Sequence, residues 1–197
     1  MTLYGFFSLL GGVGLFLYGI RHNSDRLLSL INDIIRLSEL DHKELPRKFT
    51  TLDLRLLAEE CCRNLSVSAG ARNLYLTCKG DSAVLSGDRD LLKELIENLI
   101  QNAIQYNREN GSILVRTGQK DDHPFLSVQD TGIGIPKNQQ ERIFERFYRI
   151  DKSRSRETGG TGLGLAIVKH IAEIHDAKIN VESEPGQGTC VTVQFIR

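Results

Sequence analysis

The sequence predicts an α+β domain, a mixed β-sheet with helices packed on one face. Short runs rich in Val, Ile, Leu and Phe are interspersed with longer stretches whose apolar residues recur at three- and four-residue steps. Strands and helices in that order suit a mixed sheet under a helical layer. A third observation organises the second half of the chain. Two glycine clusters, Asp130-Thr131-Gly132-Ile133-Gly134 and Gly159 to Gly164, flank a segment rich in aromatic residues and arginine. The second cluster runs directly into an apolar-periodic helix (Leu165, Ile167, Val168, Ile171).

The elements follow in order. Residues 1–20 carry no charge, and about 20 apolar residues is the length of a membrane span. Arg21 and Arg26 follow at once, so the expectation is a membrane segment with the rest of the chain in the cytoplasm, or a cytoplasmic protein if residues 1–20 do not insert. Residues 22–41 read as a helix capped by Ser24 or Asp25, with Leu27, Leu28, Ile31, Ile34, Ile35 and Leu37 facing another helix. Asp41 to Lys48 reads as a polar linker. Strands are expected at 49–52, 74–78, 83–85, 113–117, 125–129, 178–183 and 190–195. A helix over 54–67 points Leu56, Leu57, Cys61 and Leu65 inward, and Asp88 caps a long helix to Tyr106.

Composition excludes several functions. Lys+Arg and Asp+Glu both number 25 and Trp is absent, so nothing draws the chain to nucleic acid. Cys61, Cys62, Cys78 and Cys190 lack the spacing of a zinc site or a disulfide framework, and reduced thiols are expected. His22, His42, His123, His170 and His175 show no ligand spacing and read as surface or packing residues.

Three groups of residues carry chemistry. On the helix ending at Tyr106, Asn98 and Asn102 lie about 40° apart, at the edge of the apolar face. They are either a solvated polar stripe or ligands; a neutral amide oxygen can hold Mg²⁺, an ion bound mainly through substrate phosphates. Asp130 ends an apolar strand, as a turn aspartate or as an acceptor for an amino group such as that of adenine. A glycine-rich turn opening a helix points N–H groups at an anion, although many such turns are only connecting loops. Arg146, Arg149, Lys152, Arg154 and Arg156, between the clusters, are phosphate partners or a solvated basic run.

Together these residues resemble the ATP-binding catalytic domain of sensor histidine kinases, most closely the phosphate-regulon sensor type, within the gyrase/Hsp90/histidine kinase/MutL ATPase superfamily. The resemblance runs from about Leu27 to Ile196. It rests on an asparagine box (Asn98 to Ala103), a first glycine box (Asp130 to Gly134), a phenylalanine box (Phe144 to Arg149), a second glycine box (Gly160 to Gly164) and a closing Gly186-Gln187-Gly188-Thr189. It implies a Bergerat-type two-layer fold with ATP beneath a mobile lid, about Lys137 to Thr161. It divides the chain into the apolar segment 1–20, a partial dimerisation helix over 22–45 and the catalytic domain over 47–197.

Carried over box by box, the resemblance makes Asn102 the Mg²⁺ ligand, Asp130 the adenine acceptor, and Asn98 and Arg149 the catalytic pair. The nucleotide contacts it implies are Asn98, Asn102, Gln105, Tyr106, Asp130, Gly132, Gly134, Ile135, Phe144, Phe147, Gly160, Thr161, Gly162, Leu163, Gly164 and Thr189. Its partners are a dimerisation helix, of a second copy or of another kinase, and a response regulator.

Two departures stand out. Gln105 occupies a position where the family often has lysine. The phosphoacceptor box, a histidine followed by an acidic residue and a proline, is absent, because His22 is followed by Asn23, Ser24 and Asp25 with no proline before Pro46. The chain looks composite or truncated. The expected activity is therefore phosphoryl transfer to a histidine on another chain. The alternatives are a nucleotide-binding regulator that pairs with intact kinases, and a hydrolase of the wider superfamily.

Overall fold

In a computed structural model, residues 24, 27–41, 48–150 and 160–196 are described. The apolar segment 1–20, most of the polar linker, and Lys152, Arg154 and Arg156 lie outside the described residues. No helix among the described residues is long and apolar enough to cross a membrane.

The core is built on the strongest apolar period of the chain. Helix α3 (Arg89–Gln105) buries Leu91, Leu92, Leu95, Ile96, Leu99, Ile100, Ala103 and Ile104, the one-sided stripe its sequence predicts. Asp88 caps it, Oδ1 accepting from the Asp90 and Leu91 amides at 3.1 and 3.2 Å. Helix α2 (Leu54–Gly70) packs beside it through Leu54, Leu57, Ala58, Cys61 and Cys62. Leu56, expected inward, is 65% exposed, because Leu57 and Cys61 set the buried stripe and Leu56 lies about 100° away from Leu57 around the helix. A third helix, Gly164–Ile174 (numbered α4, after α1 at 27–41), buries Ala166, Ile167, Val168, Ile171 and Ala172 against α3.

These helices cover one face of a five-stranded sheet. Its strands are β2 (Tyr75–Gly80), β4 (Ser112–Lys120), β5 (His123–Asp130), β6 (Ala177–Glu184) and β7 (Gly188–Phe195), in spatial order β2-β4-β5-β7-β6. Only β2 and β4 run parallel, so the sheet is mixed, as the order of elements predicts. Ile113, Val115, Leu126, Val128, Val191, Val193 and Phe195 are among its buried apolar residues, while Lys178, Asn180 and Glu182 face water from β6.

The remaining two strands, β1 (Phe49–Asp53) and β3 (Val84–Asp88), form a separate antiparallel ribbon rather than joining the sheet. Asp53 ties the end of the ribbon to α2. It ends β1 by capping α2, and its Oδ1 accepts from both the Arg55 and Ala83 amides, at 2.9 and 3.0 Å. His175 anchors the ribbon: its ring stacks on Phe49, Nε2 accepts from the Asp88 amide at 3.0 Å, and Nδ1 faces the Ile171 carbonyl at 2.8 Å. It is a packing histidine, as expected.

Helix α1 docks on this body. Leu37 and Leu40 are buried, Arg36 pairs with Glu94 at 2.8 Å, and His170 Nε2 meets the Leu40 carbonyl at 2.9 Å. Of the two expected caps, Ser24 is itself helical and Asp25 lies outside the described residues. Asp41, the last residue of the expected helix and the first of the expected linker, is helical and pairs with Arg146 at 2.9 Å. The stripe on the other side, Leu27, Leu28, Ile31, Ile34 and Ile35, is exposed.

Candidate functional site

A cavity of about 620 Å³ opens between α3, the end of β5 and the N-terminus of α4. At one end lies Asp130, brought there by register: it pairs with Ile113 at the last position of β5, one residue past the Gln129–Cys190 pair. Its Oδ1 accepts from the Gly132 amide at 2.7 Å and from the Thr189 amide at 3.3 Å. Among the described residues Oδ2 accepts no hydrogen bond. Burial raises the Asp130 carboxyl above its ordinary range, against the pull of those two amides.

The loop after Asp130 lies directly on the β6–β7 turn. Gly186 donates to the Ile133 carbonyl at 2.7 Å, and Ile135 donates to Ser183 Oγ at 2.8 Å. Gly134 has φ of +70°, and a Cβ there would stand 1.9 Å from the Glu184 carbonyl oxygen. That contact requires glycine whether or not a ligand is bound. The loop is held from the other side by the buried Asn107, whose Oδ1 accepts from Thr131 Oγ1 at 3.2 Å.

At the other end, Leu163 precedes α4 without a side-chain cap, and Gly162, Gly164 and Leu165 line the cavity. A helix start of this kind presents unpaired N–H groups and the positive end of the helix dipole. Asn98 and Asn102, both half-buried, line the wall between the two ends. Asn98 Nδ2 donates back to the Glu94 carbonyl at 2.9 Å, which leaves Oδ1 toward α4. A Cβ at Gly164 would stand 2.7 Å from that oxygen and 3.7 Å from Asn102 Nδ2, so glycine is what lets α4 come this close to α3. Arg149 also lines the cavity, its Nη1 donating to the Gly160 carbonyl.

Of the residues singled out in the sequence, the structure gathers Asn98, Asn102, Gln105, Tyr106, Asp130, Gly134, Ile135, Arg149, Gly160, Thr161, Gly162, Gly164 and Thr189 around this one cavity. Gly132, Phe144, Phe147 and Leu163 are not on its wall. Leu163 is fully buried in the core, Phe147 is 58% exposed, and Gly132 packs against the Tyr106 carbonyl.

Several contributors were not legible in the sequence, Ser29, Asp33 and Arg72 among them. Ser29 and Asp33 reach the cavity from α1. Arg72, in the α2–β2 turn, donates to the Ile104 and Gln105 carbonyls at 2.6 and 2.9 Å, closing the C-terminus of α3 beside the cavity. Among the described residues there is no group of three or more His, Cys, Asp or Glu that could hold a metal ion.

Residues 87–197 match the family described as histidine kinase-, DNA gyrase B-, and HSP90-like ATPase. The sensor histidine kinase YkoH of Bacillus subtilis is 39% identical over 176 residues, 89% of this chain and 38% of that protein. The phosphate regulon sensor protein PhoR of Pseudomonas aeruginosa is 35% identical over 177 residues, 89% of this chain and 40% of its own length. Full-length ShkA, solved in complex with AMPPNP, superposes with a TM-score of 0.79 at 26% identity, covering 91% of this chain and 38% of ShkA. The chain thus spans about two fifths of the curated relatives it matches. It belongs to the histidine kinase-, DNA gyrase B- and HSP90-like ATPase family and carries the catalytic domain found in sensor histidine kinases.

Proposed function

We propose that the chain binds ATP with Mg²⁺ in this cavity and transfers the γ-phosphoryl group to a histidine carried by another chain, within two-component signalling. The observation that carries the reading is that one cavity joins a desolvated strand-end carboxylate to a helix start that no side chain among the described residues caps. The first suits the adenine amino group, which needs an acceptor, and the second suits phosphate oxygens, which need donors. The relative ShkA, solved with the ATP analogue AMPPNP, supports the same ligand.

The side chains present also fit Mg²⁺. Asn102 is the residue that would hold it, a neutral oxygen donor on the cavity wall, with the substrate's phosphates as the other ligands. The ion supplies charge neutralisation on those phosphates. Transfer is then mainly positioning and electrostatic stabilisation, with the α4 amides and Arg149 aligning the phosphates. Among the described residues no histidine lines the cavity, and His170 and His175 face backbone carbonyls, which supports an acceptor in trans. The dimerisation helix of such a partner and a response regulator are the proposed protein partners.

Calorimetry with Mg·ATP tests the first step, and absence of binding would sink the reading. Incubation with γ-labelled ATP, with and without an intact dimerisation hairpin of the related type, tests the second. Acid-labile label on the hairpin is expected. Binding without transfer would instead favour a nucleotide-binding regulator that pairs with intact kinases, for which the exposed apolar stripe of α1 offers a docking face.

A further inference from the structure

We propose that Ser183 turns the Thr189 hydroxyl into an acceptor-only group at the adenine end of the cavity, so that the site takes a purine bearing an amino group and rejects one bearing a carbonyl in its place. The inference rests on the reading of the cavity as an ATP site, and it names what in this chain selects the base. Ser183 is not on the cavity wall, so it acts through its neighbour as a positioning residue.

The direction of each hydrogen bond follows from the chemistry of the partners. Ser183 and Thr189 are a cross-strand pair of β6 and β7. Around Ser183 Oγ stand the Ile135 amide at 2.8 Å, the Gly188 carbonyl at 2.8 Å and Thr189 Oγ1 at 2.9 Å. An amide N–H only donates and a carbonyl only accepts. The single Ser183 proton therefore goes to Gly188, and one Ser183 lone pair takes the Ile135 N–H. The other lone pair faces Thr189, whose own proton fills it. The Thr189 oxygen is left with lone pairs alone, and Thr189 lines the cavity.

This frame is held from several sides. Gln140 Nε2 donates to the Ile135 and Ser183 carbonyls at 3.0 and 2.8 Å. Gly188 has φ of +98°, and a Cβ there would collide with the Asp130 carbonyl, so β7 starts directly against the end of β5. The Thr189 amide donates to Asp130 Oδ1 at 3.3 Å, which sets Thr189 beside that carboxylate. Two acceptors thus stand together, Asp130 Oδ2 and Thr189 Oγ1. An amino group can donate to them, whereas a carbonyl sets its own lone pairs against theirs. A hydroxyl free to rotate would serve either base, by accepting from one or donating to the other. Ser183 removes that freedom, and polar groups that a wrong base leaves unpaired are what reject it.

Calorimetry on the full chain, with the magnesium complexes of ATP and of inosine triphosphate, tests the assignment. The inosine base carries a carbonyl and a ring N–H where adenine has its amino group and bare ring nitrogen. The unmodified chain should prefer ATP. Ser183→Ala should narrow that preference by roughly 3- to 10-fold, the worth of one hydrogen bond, because the released Thr189 hydroxyl can turn and donate to the carbonyl. Ser183→Thr keeps a hydroxyl and should keep the preference. Thr189→Val should narrow it as well, and adding Ser183→Ala to that variant should change the ratio no further. The ratio of affinities is the readout, since a loosened loop weakens both nucleotides alike. Circular dichroism checks that each variant folds, and Thr189→Val tests the acceptor even if Ser183→Ala does not fold. An unchanged ratio in Ser183→Ala or in Thr189→Val, or a Ser183→Ala effect that persists without the Thr189 hydroxyl, would overturn the proposal while leaving the ATP reading intact. Failure of the unmodified chain to bind ATP would overturn that reading, and this inference with it.

Discussion

Asp130 is a carboxylate held in a dry place by two amides on one oxygen, with the other oxygen left to the cavity. Replacing it by asparagine keeps the shape but can set an N–H against the adenine amino group. Hydrogen bonds to charged groups contribute about 1.5–3 kcal/mol, so Asp130→Asn should weaken ATP binding by roughly 10- to 150-fold in calorimetry. The pH dependence follows from the direction of the shift. Because burial raises the Asp130 carboxyl, acidification protonates it at a higher pH than an exposed aspartate. Affinity should therefore be full when the group is ionised and fall as pH drops through the raised value, beginning above the ordinary value of 3.8. The asparagine variant should lose that part of the dependence. A pH profile identical in both proteins would detach Asp130 from the adenine.

At the scale of elements, the start of α4 depends on Gly164 being glycine. Gly164→Ala puts a methyl group 2.7 Å from Asn98 Oδ1, closer than carbon and oxygen approach in real structures, so either Asn98 turns or α4 moves back. Overpacking of this kind typically costs about 1–3 kcal/mol. The variant should lower the midpoint of urea unfolding and weaken Mg·ATP binding together. Binding lost with no change in stability would mean that the methyl blocks the phosphates directly. The contrast among elements also shows what the sequence can disclose. The stripe of α3, the Asp88 cap and the hairpin around Gly186 are local patterns, readable within a few residues, and the structure has all three. The docking of α1 was not readable, since its anchors lie 58, 105 and 130 positions along the chain, at Glu94, Arg146 and His170. The glycine boxes were legible as a site, but part of the reason for them was not. Gly134 answers to the Glu184 carbonyl across a turn whose position only the fold determines.

For the whole molecule, two properties follow from what α1 does with its two sides. The side away from the body exposes Leu27, Leu28, Ile31, Ile34 and Ile35, each at least 48%, a continuous apolar patch that water disfavours. The chain should self-associate through it, and Ile31→Glu should shift the mass measured by light scattering toward the monomer; an unchanged mass would place any association elsewhere. The side toward the body brings Asp33 to the cavity, where it and Asp130 are the only acidic residues on the wall among the described residues. That bears on whether bound ATP is hydrolysed. Water attack needs a base, and loss of one typically costs about 10²–10⁴ in rate. In the hydrolysing branches the family resemblance places a glutamate one turn before the metal-binding asparagine; here that position is Asn98, an amide with no basic lone pair near neutral pH. Its nitrogen is also committed to the Glu94 carbonyl. Asp130 is held by amides in the wall, so Asp33 is the carboxylate left to consider. ATP turnover should be slow, Asn98→Glu should raise it, and Asp33→Asn should leave the residual rate unchanged. A steep fall on Asp33→Asn would show that the docked helix supplies the base, and the chain would then read as a hydrolase assembled by α1 rather than as a donor to a histidine in trans.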